Sequence, residues 1–337
     1  MHLSRFFMSK DGMHMKKNRR KSKYSGKKYK RYQKGFWSRY KGQRQWKYHR
    51  CILEMKQLLK QKPDPYQVRP PHTVGRPPAN PKDILIFLMF KQLFCLSYLD
   101  TESFLLWVCE EKTWLMTSVP DANTAQEHIS DIPLSYLQVM LKETIRCLHD
   151  NEVTVIIDAT GLSLNHYGRW ITVRTAKRKV KKKFIKLHLA LDKRSSKILI
   201  GICSKGWKHD HKFGVQIVKS LKRSLAKQGT SVDVELLDSG YLSREMTDEI
   251  EKSKAKPYVK MKKNSTARSG RKPAWKRNIR LQKDHPEEFM KEYCYRVVIE
   301  GVISALKQLF GSTVSSKKRA HQNVEVLCRL ILWNCIH

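Results

Sequence analysis

Acidic residues are scarce. Against 68 Lys and Arg there are only 30 Asp and Glu in 337 residues, a formal net charge of +38. Self-repulsion of that size opposes folding unless a polyanion neutralises it, which points first to nucleic acid and second to an anionic membrane surface. Long apolar runs are missing as well. The best, Ile84 to Phe90, is cut by Lys91 and Gln92, far short of the roughly 20 apolar residues that span a bilayer, so no membrane partner is expected. Met1 to Arg20 has no continuous apolar segment behind its basic residues and reads as no signal peptide. None of the 8 cysteines forms a C-x-x-C pair, and most lie in apolar stretches, as buried reduced thiols of a cytosolic protein do. His209 and His211 flank Asp210, but no further ligands follow at metal-binding spacing. No internal repeat is present. The length suffices for one large domain or two ordinary ones with a substantial core.

What is present is organised in three parts. Residues 1–65 form a basic, aromatic-rich N-terminal arm. From Lys16 to Arg50 no acidic residue occurs, and Lys and Arg alternate with rings such as Tyr24, Tyr32, Trp37, Tyr40 and Trp46. Basic charge follows a phosphate backbone, and exposed rings stack on bases. The same composition also suits a solvated tail without fixed structure in the free protein; both readings are compatible with ordering on DNA. Pro63, Pro65, Pro70, Pro71, Pro77, Pro78 and Pro81 keep the chain extended and mark a boundary. Residues 66–150 read as a small helical module. Asn80 caps a helix with Pro81 at its first position, and Ile84, Leu85, Leu88, Met89, Leu93 and Leu96 supply the apolar spacing. Further helices run through Phe104, Leu105 and Trp107, from Asp121 or Asn123, and from Pro133 to Leu148.

From residue 151 to 337 the period changes. Val153 to Ile157 is a β-branched run that suits a strand buried on both faces, and it ends in Asp158, Ala159, Thr160 and Gly161. Phe184 to Leu191 and Ile198 to Ile202 are the next strands, joined by a turn at Lys193 to Ser196. A helix from His211 to Gln228 precedes a strand through Val232, Val234, Leu236 and Leu237, which reaches Asp238. Glu245 to Lys252 is read as a helix and Tyr258 to Met261 as a last strand. The stretch from Lys262 to Pro286 is polar, broken by Gly270 and Pro273, and is read as a loop. One long helix then carries Tyr293, Arg296, Glu300, Lys307 and Phe310, and a final helix carries Val324 to Trp333.

Three hairpin-connected strands followed by crossover helices and parallel strands predict an α/β fold, a ribonuclease H-like mixed sheet flanked by helices. In that topology the first strand neighbours the fourth, so Asp158 stands beside Asp238. Glu300, taken to lie on the apolar face of its helix, would reach the same point and need a partner there. Three converging carboxylates are hard oxygen ligands suited to Mg²⁺ or Mn²⁺. Two such ions activate a water and stabilise a leaving oxygen at a phosphodiester. Taken singly, Asp158 and Asp238 are equally readable as turn formers.

The late helix also carries Tyr293, Arg296, Glu300 and Lys307 at the spacing Y-x2-R-x3-E-x6-K, followed by Phe310 and Gly311. In this it resembles the DDE transposases of bacterial and archaeal insertion sequences. Ile157-Asp158-Ala159-Thr160-Gly161 and Leu237-Asp238-Ser239-Gly240-Tyr241 are similar to that family's first two catalytic blocks, and Gly75 to Pro78 to its GRPP-type lead-in. The resemblance implies a catalytic and metal-binding triad of Asp158, Asp238 and Glu300 holding two Mg²⁺ or Mn²⁺ ions. It implies DNA contacts by Tyr293, Arg296 and Lys307. The reaction implied is hydrolysis at element ends and transfer of the freed 3′-hydroxyl strand to target DNA. Double-stranded DNA as partner, a homodimer in the synaptic complex and a nucleoid-associated place in a prokaryotic cytoplasm are implied too. The interval from Asp238 to Glu300 has no room for the large β-rich insertion of some relatives. An inactive or domesticated DNA-binding descendant, and a nuclease or resolvase of the same fold, are the alternative readings.

Overall fold

A computed structural model describes residues 46–68, 77–146, 151–164, 184–268 and 272–337. The arm up to Gln45, Gly75 of the GRPP segment, Leu148 and Gly270 lie outside them. All of the described residues belong to one compact unit, Trp46–His337.

Among the described residues five α-helices precede the sheet: α1 (Lys47–Lys60), α2 (Pro81–Leu93), α3 (Tyr98–Glu111), α4 (Ala122–Glu127) and α5 (Leu134–Glu143). The sequence reading assigned the first of these to the basic arm. Its Cys51, Met55 and Leu59 are buried at four-residue spacing, a stripe that packs on the last helix of the chain and that the surrounding lysines obscure. At α2 the expected cap is present: Asn80 Oδ1 accepts from the Lys82 N–H at 2.8 Å, with Pro81 in the first turn. Ile84 to Phe90 are all buried, so this apolar run is core. Among the described residues no single helix is long and apolar enough to cross a membrane.

Next come β1 (Glu152–Leu164), β2 (Phe184–Asp192), β3 (Ile198–Lys205), α6 (His211–Ala226), β4 (Ser231–Leu237), α7 (Arg244–Lys252) and β5 (Lys256–Val259). After them stand α8 (Pro273–Asp284), α9 (Pro286–Tyr293), α10 (Val297–Phe310), β6 (Thr313–Val314) and α11 (Arg319–Ile336). The sheet order is β3-β2-β1-β4-β5, with β6 against the far end of β1. β2 is antiparallel to β1 and β3, whereas β4 is parallel to both β1 and β5. This is the expected mixed sheet flanked by helices, a ribonuclease H-like arrangement. One face packs Ile156, Leu162, Leu187 and Leu189 against α1, α2, α10 and α11. The other packs Val155, Ile157, Ala190 and Leu237 against α6 and α7.

Four sequence readings need correction. β1 runs on past Asp158 to Leu164, because it keeps its β2 partner after the β4 pairing stops at Ile157; only the doubly covered half had to be uniformly apolar. β5 begins two residues early and includes Pro257, which an edge strand tolerates. The single late helix is broken into α9 and α10 by a 3₁₀ turn at Cys294–Arg296.

The supposed loop from Lys262 to Pro286 contains α8. Pro273 opens that helix instead of breaking it. The buried stripe of α8 is partly amide, Asn278 and Gln282 with Ala274 and Ile279, so no apolar period betrays it. Those amides serve the sheet. Asn278 Oδ1 accepts from the Val259 N–H at 3.1 Å, and its Nδ2 donates to the Val259 carbonyl at 2.9 Å. Gln282 Oε1 accepts from the Met261 N–H at 2.7 Å. On the opposite edge Asn334 of α11 does the same for Ile198, with both bonds at 2.8 Å. Side-chain amides thus satisfy the backbone groups of Val259 on one edge strand and of Ile198 on the other.

Two stability predictions follow. Asn278→Ala leaves the Val259 N–H without its partner, while the carbonyl keeps Gln282 Nε2 at 2.8 Å, and is expected to cost about 1–3 kcal/mol; an unchanged urea midpoint would contradict it. Glu235 on β4 is 1% exposed, and one of its oxygens has no partner. Burial, with Glu249 adding to it, pushes its carboxyl up from 4.5 to about 8. The folded state therefore holds this proton more tightly than the unfolded chain, and stability falls as pH rises from about 4.5 to about 8. Glu235→Gln is expected to melt above wild type at pH 8 and beyond, with the difference vanishing near pH 4.5; equal melting curves at both ends would refute this.

Candidate active site at the sheet's carboxyl end

The parallel register sets the first two acids. β1 and β4 pair up to Ile157 and Leu237, so Asp158 and Asp238 are the next residues on adjacent strands, with backbones roughly 5 Å apart. β4 stops there in a 3₁₀ turn, Ser239–Tyr241, and both acids are half-buried. Glu300 comes from the first turn of α10. It is not on the apolar face, which Ile299, Val302, Leu306 and Phe310 make up. Its side chain is 58% exposed, so no buried partner is required of it.

Arg296 joins the groups. Its Nη2 donates to Asp158 Oδ2 at 2.6 Å and its Nη1 to Glu300 Oε1 at 3.1 Å. The other Asp158 oxygen accepts from the Ala159 N–H at 2.8 Å. Burial pushes the Asp158 carboxyl above its usual value and Asp238 adds to this, while Arg296 and the Ala159 amide oppose them. For Arg296 burial works against the cation, but Asp158, Tyr293, Asp238 and Glu300 together raise it. Arg296 Nε is buried without a partner. Tyr293 closes the site from α9. Its ring stacks on Phe289 at 5.0 Å, and Phe289 lies 5.6 Å from Tyr258 of β5. Burial pushes the Tyr293 phenol up to about 12, and its oxygen has no hydrogen-bond partner. Lys307 stands seven residues beyond Glu300 on the same stripe of α10.

Among the described residues no three His, Cys, Asp or Glu side chains form a direct metal-binding cluster. Asp158 and Glu300 meet through a guanidinium, with Asp238 on the neighbouring strand. His209 and His211 have stacked rings 5.9 Å apart and no third ligand. The donor set at the sheet end nevertheless fits a hard divalent cation. It is all carboxylate oxygen, and a positive group already occupies the space between two of the acids.

A supporting layer under the site escapes sequence reasoning. His188 of β2 is wholly buried on the opposite face of the sheet, paired across from Ala159. Its Nδ1 lies 2.9 Å from the Tyr241 hydroxyl and its Nε2 2.9 Å from Ser204 Oγ. Tyr241 follows β4 and reaches β2, so it passes beneath β1 and ties the Asp238 turn to the strand beyond Asp158. Gly214 of α6 makes room for it, since a Cβ there would stand 2.9 Å from the Tyr241 ring. Burial pulls His188 down to about 4, with Lys186 assisting and Asp210 opposing; the imidazole is therefore neutral at ordinary pH. The one available signal was a histidine inside the otherwise apolar run Leu187 to Leu191.

No curated protein and no solved structure matches the chain. A family model described as Transposase DDE domain matches residues 150–335, more than half of the sequence, with β1, Asp158, Asp238 and Glu300 inside the match. The chain belongs to the transposase DDE domain family.

Proposed function

We propose that this chain is a DNA transposase that binds element ends, hydrolyses the phosphodiester there and transfers the 3′-hydroxyl strand to target DNA, with Asp158, Asp238 and Glu300 as its catalytic, metal-holding residues. The observation that carries this reading is the Arg296 bridge between Asp158 and Glu300 beside Asp238. Three acids from distant parts of the chain serve no packing purpose at a sheet end. Burial, with Asp238 adding to it, raises the Asp158 carboxyl toward protonation, a cost that cation binding removes.

Each residue has a part in this scheme. Asp158, in the middle of the group, and Asp238 and Glu300 on its flanks would hold two Mg²⁺ or Mn²⁺ ions, which when bound activate water and stabilise the leaving oxygen. Arg296 keeps the carboxylates paired and turned inward until cations take over that charge, and its guanidinium is then a donor for a phosphate of the element end. Lys307 lies along α10 where the same strand would run, and Tyr293 fixes the α9 end that positions Arg296. The His188–Tyr241 contact holds the spacing of Asp158 and Asp238. The net charge of +38 supplies the affinity for DNA that does not depend on sequence. In this reading the basic N-terminal stretch and the helices within 66–150 add DNA contacts, and the protein works as a dimer on double-stranded DNA in a prokaryotic nucleoid.

The test is incubation of full-length protein with a labelled element end in Mg²⁺ or Mn²⁺, beside Asp158→Asn, Asp238→Asn and Glu300→Gln. Wild type is expected to nick the end and join it to target. Each variant should lose the reaction by about 10²–10³-fold, on the scale expected when a required transition-state charge contact is removed, while binding the same DNA. Intact DNA with wild type and variants alike would favour the DNA-binding alternative, and nicking without joining would favour the nuclease.

A further inference from the structure

At the end of α10 remote from Glu300 there is a cleft of about 1070 Å³, walled by the end of α2, the turn into α3, β6 and the start of α11. Its lining includes Lys91, Lys317, Lys318, His321 and Arg329, with Glu127 as the one carboxylate. Two of the cations are deeply buried, Lys91 at 8% exposure and Arg329 at 4%. They share a single buried acid. Glu325 accepts from Arg329 Nη2 at 2.6 Å and also from the Ser315 and Ser316 N–H groups at 3.1 and 3.0 Å. Lys91 is left with the Ser315 hydroxyl at 3.4 Å and the Tyr98 ring at 4.9 Å. Nε2 of His321 is buried with no partner. A buried surplus of positive charge opposes folding unless an anion compensates it, and this surplus faces an open cleft.

The cleft is aligned with the acids. Glu300 and Lys307, seven residues apart, lie on one stripe of α10, with Arg296 just before its first turn and Gly311 just past its last. Gly311, with φ +81°, ends α10 and lines the cleft. The eleven residues from Glu300 to Gly311 span ~16 Å, which is about five base pairs of duplex.

We propose that this cleft seats the phosphate backbone of the DNA strand leading away from Asp158 and Glu300, so that α10 is a track from catalytic acids to a second anchoring site. The proposal rests on the DNA-processing reading above. Its test needs no cleavage, so the two can fail separately.

Equilibrium binding of the full chain to a labelled duplex in EDTA, across a salt series, measures the number of phosphates engaged. Each lost contact lowers the slope of log affinity against log salt by about 0.9. Lys317→Gln with Lys318→Gln is therefore expected to lower it by about 1.8. Lys219→Gln on α6 with Lys227→Gln just past its end, both exposed and across the sheet, should leave it unchanged. Equal losses from both pairs, or none from the first, overturn the proposal. Lys91→Met separates binding from folding: several-fold weaker DNA binding with no fall in Tm is expected, and a lower Tm with wild-type binding overturns it. Inorganic pyrophosphate should displace the duplex no better than NaCl of equal ionic strength; stronger displacement would mark a small-anion site instead. If the slope differences hold in Asp158→Asn while wild type leaves DNA uncut, the catalytic reading fails and the cleft stands.

Discussion

Everything at the carboxyl end of the sheet depends on one guanidinium. Asp158 and Asp238 are forced together by the parallel pairing of β1 and β4, and like charges on adjacent strands in a half-buried place repel. Arg296 offsets that repulsion by donating at once to Asp158 and to Glu300 on its own helical turn. The 3₁₀ turn at Cys294–Arg296 makes this possible, because it releases Arg296 from the straight course of α9 just before α10 begins. Tyr293 thus ends α9, Arg296 ends the 3₁₀ turn and Glu300 stands in the first turn of α10.

The scaffold holds this arrangement by polar means as much as by apolar burial. Amides on α8 and α11 satisfy the two sheet edges. His188 and Tyr241 strap the Asp238 turn beneath β1. Glu325 ties Arg329 to the β6–α11 connection. Each of these groups is buried, and each would be costly to strip of its partner. Lys91, Lys317 and Lys318 line the cleft beyond α10, on the side where DNA is proposed to run.

How much could be read in advance followed from which face of an element is apolar. β2, β4 and α2 were legible because Leu187 to Leu191, Val232 to Leu237 and Ile84 to Phe90 carry their burial in their hydropathy, and Asn80 and Pro81 announced a helix start. The neighbourhood of Asp158 and Asp238 followed from strand order alone. α8 was invisible because its buried positions are Asn278 and Gln282, whose role exists only once β5 is beside them. α1 was masked by charge around its narrow stripe of Cys51, Met55 and Leu59. Sequence neighbours put Glu300 on the apolar face, since it stands between Ile299 and Val302, but one residue turns the helix by about 100° and carries it off the stripe of Ile299, Val302, Leu306 and Phe310. His188 gave a single anomalous letter, and its partner Tyr241 lies on a strand connection that only the tertiary fold brings near.

In the proposed site Arg296 holds the place of a divalent cation among the acids. The melting temperature of the full chain and of Arg296→Gln, each in EDTA and in Mn²⁺, tests it most directly. With its internal cation removed, the variant is expected to melt below wild type in EDTA and to gain more from Mn²⁺ than wild type does. A variant that melts like wild type in EDTA and gains nothing from Mn²⁺ would contradict the claim.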